Sequence, residues 1–198
     1  KIYKYSLKFE DLPNEFDGYQ ITHISDIHSG SLNDKKNVEY AVELINKQDS
    51  NLILFTGDIV NNKADELIKW KNTFSNLKAK DGKFSILGNH DYGDYVNWKV
   101  ESQKINNFKN LVKFQKEMGF NLLMNENIKI KRNNESISLI GVENWGKGRF
   151  KKKGDIDKAC EGLNKNDFKI VLSHDPSHWE EILKNHKTHF HLTLSGHT

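Results

Sequence analysis

The chain predicts an α/β sandwich with largely parallel central strands, on three observations. Short apolar runs of strand length recur along it, amphipathic stretches with helical period lie between them, and one hairpin signal adds antiparallel pairing. In order, "KIYKYSLKF" alternates, with Tyr3, Tyr5, Leu7 and Phe9 on one face, and reads as a half-buried strand. "YQITHIS" (19–25), "NLILFT" (51–56), "KFSIL" (83–87), "FKIVLS" (168–173) and "FHLTLS" (190–195) read as buried strands. "ISLIGVE" (137–143) is another, and "NIKIKRNNES" before it predicts a hairpin turning near Asn133 and Asn134.

Helical faces fill the intervals. Val38, Ala41, Val42 and Ile45 share one, and Leu67, Trp70, Phe74 and Leu77 another. Ile105, Phe108, Leu111, Val112 and Met118 form a third, with Gly119 where a C-terminal cap belongs. A last helix opens at Asp175-Pro176, with proline in its first turn. Two prolines and no Gly/Ser-rich run leave no linker, so residues 1–198 are expected to form a single domain.

Composition bounds the function classes. With 36% hydrophobic and 29% charged residues, the chain should fold around a core. A net charge of +3 is too small to argue for a nucleic-acid partner. Cys160 stands alone, which excludes an intrachain disulfide and an all-cysteine metal site. No run of the given sequence approaches the roughly 20 apolar residues of a membrane span, and none has a signal-peptide pattern. The chain begins on Lys1, as a domain preceded by an upstream segment would.

The polar residues that close the apolar runs carry the chemistry. "THIS" is followed by Asp26-Ile27-His28, "ILFT" by Gly57-Asp58, and "FSIL" by Gly88-Asn89-His90-Asp91. "IVLS" is followed by His174-Asp175 and "TLS" by Gly196-His197. In an open α/β sheet the carboxyl ends of the strands gather on one edge, where ligands bind. Carboxylate, imidazole and amide oxygen together, without thiolate, suit first-row divalent ions such as Mn, Fe or Zn. A single strand-end Asp or His is usually a turn or cap, and "GD" alone means little. Five strand ends in order mean much more.

The ordered set D-x-H, G-D, G-N-H-D, H, G-H resembles the calcineurin-like metallophosphoesterases, from residue 26 to residue 197. "SDIH", "TGDIV", "LGNHDYGDY" and "LSGHT" look most like bacterial members, many with an N-terminal membrane anchor. The resemblance implies a four-layer αββα sandwich of two mixed sheets flanked by helices, holding two divalent metal ions. It implies that Asp26 and His28 bind the first ion, that Asp58 bridges, and that Asn89, His174 and His197 bind the second. His90 is left to face a phosphate-ester substrate as general acid, attacked by a metal-bridged hydroxide. Phosphodiester, pyrophosphate or phosphomonoester bonds are the implied targets, and nucleotide-linked lipids or other envelope phosphates the implied compounds. A membrane-associated full-length protein follows by the same analogy, with a cytoplasmic one as the alternative.

Two departures stand out. Many relatives have an Asp three residues after the bridging one, orienting the catalytic histidine; here it is Asn61, with Asp91 the candidate replacement. The family motif also runs Gly-His-x-His, whereas this chain ends at Thr198. The expectation is therefore a break through the site, with the last ligand and further strands of the second sheet beyond it. Rival readings are a non-catalytic binding module on the same fold and a nuclease of the same superfamily.

The remaining notable residues read as structural. His23, His189 and His191 are expected to be satisfied locally, His178 and His186 to be exposed or capping, and Trp70 and Trp179 to pack. "YGDYVNW" (92–98) and "ENWGKGRFKKK" (143–153) are candidate pocket walls. Within the latter, Lys147, Arg149, Lys151, Lys152 and Lys153 read as a solvated charged loop, with a second phosphate or an anionic lipid surface as the alternative.

Overall fold

The computed structural model describes residues 1–146 and 152–197. Its first sheet has the order β1 (Ile21–Ile24), β2 (Leu52–Phe55), β3 (Lys83–Ser85) and β4 (Phe120–Leu122), all parallel. The second has the order β5 (Glu126–Arg132), β6 (Glu135–Gly141), β7 (Phe168–Leu172) and β8 (Leu192–Leu194). There β5 and β6 form an antiparallel hairpin turning at Asn133-Asn134, with Asn133 at φ 48°, and β7 and β8 run parallel to β6.

Strand β2 shows why the layers stack. All four residues are buried, so both faces must be covered. Leu52 and Leu54 point between the sheets, where they join Phe84, Ile86, Ile137, Leu139, Ile170 and Leu172. Ile53 and Phe55 point the other way, to α1 (Lys35–Asn46), α2 (Lys71–Ser75) and α3 (Glu101–Glu117) through Val38, Val42, Phe74 and Leu111. On the outer face of the second sheet, Ile140 and Val171 pack beneath α4 (Ile156–Ala159) and Leu183. Helix, sheet, sheet, helix is the resulting order.

Helix α1 starts where Asp34 accepts the backbone N–H groups of Lys36 and Asn37 at 2.9 and 3.2 Å. Gly119 ends the α3 segment at φ 82°. Among the described residues, no helix is long and apolar enough to cross a membrane.

Some expectations fail here. Residues 1–9 form no strand, and Tyr3, Tyr5 and Leu7 are exposed at 65%, 83% and 56%. Alternation marks a face, but a strand exists only through ladder hydrogen bonds, and this segment pairs with neither sheet. Only Phe9 reaches the core, edge-on to Phe168 at 5.2 Å. Strand β4, three residues long, had no period to reveal it.

The face through Leu67, Trp70, Phe74 and Leu77 is buried, yet only α2 within it is α-helical; Ala64–Leu67 is a 3-10 turn. Glu66 captures the backbone N–H groups of Asn61, Asn62 and Lys63, and the Trp70 indole donates to the Ser29 carbonyl at 3.0 Å. In α5 (Ser177–Glu181) the roles are reversed: His178 is buried and Trp179 is 39% exposed. Five residues are too few for periodicity to fix a face. His178 pairs through Nδ1 with the Ser173 hydroxyl at 2.8 Å and stacks on Trp145, and burial pushes its pKa down to about 4.

Candidate metal centre

The carboxyl ends of β1, β2, β3, β7 and β8 meet on one edge, and backbone hydrogen bonds extend the ladder beyond the strands. The Asp26 N–H donates to the Gly57 carbonyl, that of His28 to the Asp58 carbonyl, and that of Gly196 to the His174 carbonyl, at 2.9–3.0 Å. The His197 N–H donates to the Asp26 carboxylate at 3.0 Å, across 171 positions of sequence.

Among the described residues, seven besides glycine have positive φ, and four of these are Asp26 (52°), His28 (45°), Asp58 (60°) and His197 (59°). Each such conformation costs about 1 kcal/mol. The strain is concentrated where the loops turn the predicted ligands inward. This is also why Asp26 and His28 do not follow strand alternation: both lie in the loop beyond β1, each with its own left-handed turn.

Two groups of potential ligand atoms result, each within 4.8 Å: His28, Asp58 and His90, and Asp58, His174 and His197. Asp58 belongs to both and is almost fully buried. The Asp26 carboxylate lies 4.0 Å from His28 Nε2, and Asn89 Oδ1 lies 3.1 Å from His174 Nε2. All six residues marked in the sequence as metal ligands therefore gather, together with His90.

His174 tests whether the set suits a cation. Its Nδ1 lies 2.7 Å from the Thr56 carbonyl, which can only accept, so that nitrogen carries a proton. Its Nε2 then faces Asp58 Oδ2 at 3.2 Å and Asn89 Oδ1 at 3.1 Å. In the neutral ring, three electron-pair donors point at one place, an arrangement that a proton or a metal ion stabilises. Burial opposes charge on both partners, yet the His174 hydrogen bond and charge hold Asp58 below the usual carboxylate range, and Asp58 in turn raises His174. Oxygen and imidazole ligands without thiolate fit a first-row divalent ion.

The second layer corrects the roles weighed for Asp91 and Asn61. Asp91 is fully buried and accepts the backbone N–H groups of Asp58, Gly88 and Ile59 at 2.8–3.0 Å, and that of Val60 at 3.4 Å. It fastens the loop after β2 to the loop after β3. Burial and the Asp58 charge push its carboxyl up, to about 7, against the pull of those donors. The His90 ring is held elsewhere: Nδ1 meets the backbone carbonyl of Asn61 at 2.5 Å, while the Asn61 amide donates to Ser31. A neutral carbonyl thus stands where an orienting carboxylate was expected.

Asparagine at 91 would offer one acceptor oxygen and turn an NH₂ toward the remaining donors. Asp91→Asn is expected to cost about 3 kcal/mol, read from urea unfolding at pH 8, because buried N–H groups lose their partner.

Three contributors escaped the sequence reading. The carbonyls of Thr56 and Asn61 orient His174 and His90, and no side-chain pattern announces a backbone acceptor. Tyr95, inside the segment taken for a pocket wall, receives a hydrogen bond from Asn89 at 2.8 Å and lies against His90 with ring centroids 4.6 Å apart. His23 and His191 are held locally, by the Thr56 hydroxyl and by Asp11. In the other candidate wall, Lys147, Arg149 and Lys151 fall outside the described residues. Lys152 covers Trp145 and Lys153 covers Tyr92, each within 4.5 Å of the ring centroid.

Comparison with known proteins gives relatives that carry the metallophosphoesterase description. An uncharacterized metallophosphoesterase of Helicobacter pylori is 28% identical over 176 residues, 88% of this chain and 43% of that protein. The uncharacterized metallophosphoesterase YkoQ of Bacillus subtilis is 28% identical over 179 residues, covering 89% and 59%. A transmembrane protein with a metallophosphoesterase domain from Danio rerio is 24% identical over 206 residues, covering 100% and 44%. The chain spans about half the length of these relatives. The family model for calcineurin-like phosphoesterases matches residues 19–198, all five strand-end motifs included, and the chain belongs to that family.

Proposed function

We propose that this domain hydrolyses phosphate esters with two divalent metal ions. The observation that carries the reading is Asp58, a buried carboxylate common to two groups of converging ligand atoms. Asp26, His28 and Asp58 would hold one ion, and Asp58, Asn89, His174 and His197 the other. Ions held there supply Lewis acidity toward the phosphoryl oxygens and lower the pKa of water to make a nucleophile. Only Asp26 and Asp58 bring negative charge to this ligand set, so two divalent ions leave it positive, which favours a phosphate anion over a neutral ester.

His90 has the remaining role. With Nδ1 on the Asn61 carbonyl, its Nε2 is the atom able to pass a proton to the leaving oxygen. The edge-on contact with His28, 4.9 Å between ring centroids, keeps the imidazole beside the ligand cluster. Manganese, iron and zinc all suit the donor set.

Diester or pyrophosphate bonds, including those of nucleotide-linked lipids or other envelope phosphates, are the preferred substrates by family analogy. Membrane association of the full-length protein belongs to the same reading, supported by the Danio rerio relative's description as a transmembrane protein.

The test is hydrolysis of bis(p-nitrophenyl) phosphate against p-nitrophenyl phosphate, with added Mn²⁺ and with EDTA. Turnover that EDTA abolishes and that is faster on the diester is expected. Equal or faster turnover of the monoester would overturn the bond preference. A protein that binds Mn²⁺ but turns over neither compound would overturn catalysis in favour of a binding module.

A further inference from the structure

An asparagine amide presents nearly the same shape whichever end faces a neighbour, so a metal ligand of this type needs an outside group to aim its oxygen. At Asn89 that group is Tyr95. The Asn89 Nδ2 donates to the Tyr95 hydroxyl at 2.8 Å, which leaves Oδ1 pointing at His174 Nε2, 3.1 Å away. The same Tyr95 ring lies against His90 at 4.6 Å and 39°, on a histidine already set edge-on to His28 at 4.9 Å. One side chain therefore touches both the amide ligand of one ion site and the imidazole assigned to the leaving group.

The loop that carries Tyr95 is built to hold it. After the 3-10 turn Asn89–Tyr92 the chain reverses at Gly93, and the Trp98 indole N–H pins the Gly93 carbonyl at 2.7 Å. Asp94 pairs with Lys104 of α3. Lys63 covers the Trp98 ring, 5.6 Å from its centroid. With anchors on both sides of it, Tyr95 still keeps 47% of its surface exposed. A tyrosine serving only the core would be buried.

We propose that Tyr95 is a positioning residue: its hydroxyl fixes the Asn89 oxygen toward the second ion, and its ring holds His90 against the substrate face. The inference rests on the metal-site reading above. Loss of the hydroxyl removes the acceptor that holds the Asn89 NH₂, so the amide is no longer set with its oxygen inward before an ion binds. Partners of this kind behind a ligand typically contribute 10–100-fold in metal affinity. Loss of the ring as well frees His90.

The two effects separate in two variants. Mn²⁺ titration calorimetry on the wild type, Y95F and Y95L is the first measurement. Two bound ions are expected in the wild type, with affinity at one site about 10-fold weaker in both variants and the other site unchanged. The second measurement is kcat at saturating Mn²⁺, where Y95L should fall well below Y95F because only Y95F keeps the ring on His90. Thermal melting of both variants within about 2 °C of wild type is expected for so exposed a position.

Wild-type Mn²⁺ affinity at both sites in Y95F would overturn the proposal while leaving the metal-site reading intact. Failure of the wild type to bind two ions would instead overturn that reading, and this inference with it. Equal kcat in Y95F and Y95L would overturn the ring's part.

Discussion

Asp58→Asn is expected to abolish tight Mn²⁺ binding at both sites and to lower phosphodiester hydrolysis on the order of 10³-fold, about 4 kcal/mol at the reacting centre. The size follows from position. Asp58 belongs to both ligand groups, its Oδ2 lies 3.2 Å from His174 Nε2 and 3.8 Å from His28 Nε2, and its Oδ1 accepts the His90 N–H at 2.9 Å. An amide keeps the shape but removes the charge that balances the ions. Calorimetric titration with Mn²⁺ and steady-state rates with bis(p-nitrophenyl) phosphate check it. Two tight sites remaining in the variant would show that Asp58 is not shared and would sink the dinuclear reading.

Gly88→Ala should have the largest structural effect. A Cβ there would stand 2.2 Å from Asp58 Oδ1 and 2.7 Å from the Asp58 backbone nitrogen, in a loop already fastened by Asp91. Its partner in this close approach is Gly57, at φ 95°, whose own Cβ would fall 2.4 Å from the Gly88 nitrogen. Neither contact can be relieved by rotating a long side chain, because one is backbone and the other a buried carboxylate. A destabilisation of about 3 kcal/mol or more is expected, with Mn²⁺ binding lost even where the fold survives. Gly162→Ala is the control. Gly162 has positive φ, at 76°, which Gly88 does not, but a Cβ there meets nothing within 4 Å, so only about 1 kcal/mol of backbone strain is expected. Equal urea midpoints for the two variants would refute the close-approach argument.

The reach and the limits of the sequence follow from where each kind of information is stored. β2 was legible because four apolar residues in a row, Leu52 to Phe55, must be covered on both faces, and α1 because Val38, Ala41, Val42 and Ile45 recur at helical spacing. The hairpin was legible because Asn133 tolerates the left-handed turn it occupies. Residues 1–9 carry an equally clear alternation and form no strand, because ladder bonds require a partner that a pattern cannot supply. In α5 the inward residue is the polar His178 rather than Trp179, selected by the Ser173 hydroxyl and the Trp145 ring.

The sequence by itself determined the chemistry of the candidate centre: which carboxylates, imidazoles and amide close the strands, and in what order. Those are side-chain identities at strand ends, and the topology of an open sheet gathers such ends on one edge whatever lies between them. Only the tertiary structure decided how the groups are aimed. Thr56 and Asn61 act through backbone carbonyls, Asp91 turned out to fasten loops, and Tyr95 touches two site residues at once. Every residue has a carbonyl and nearly every one an N–H, so which of them meets a given ring depends on chain geometry, and no residue type encodes it.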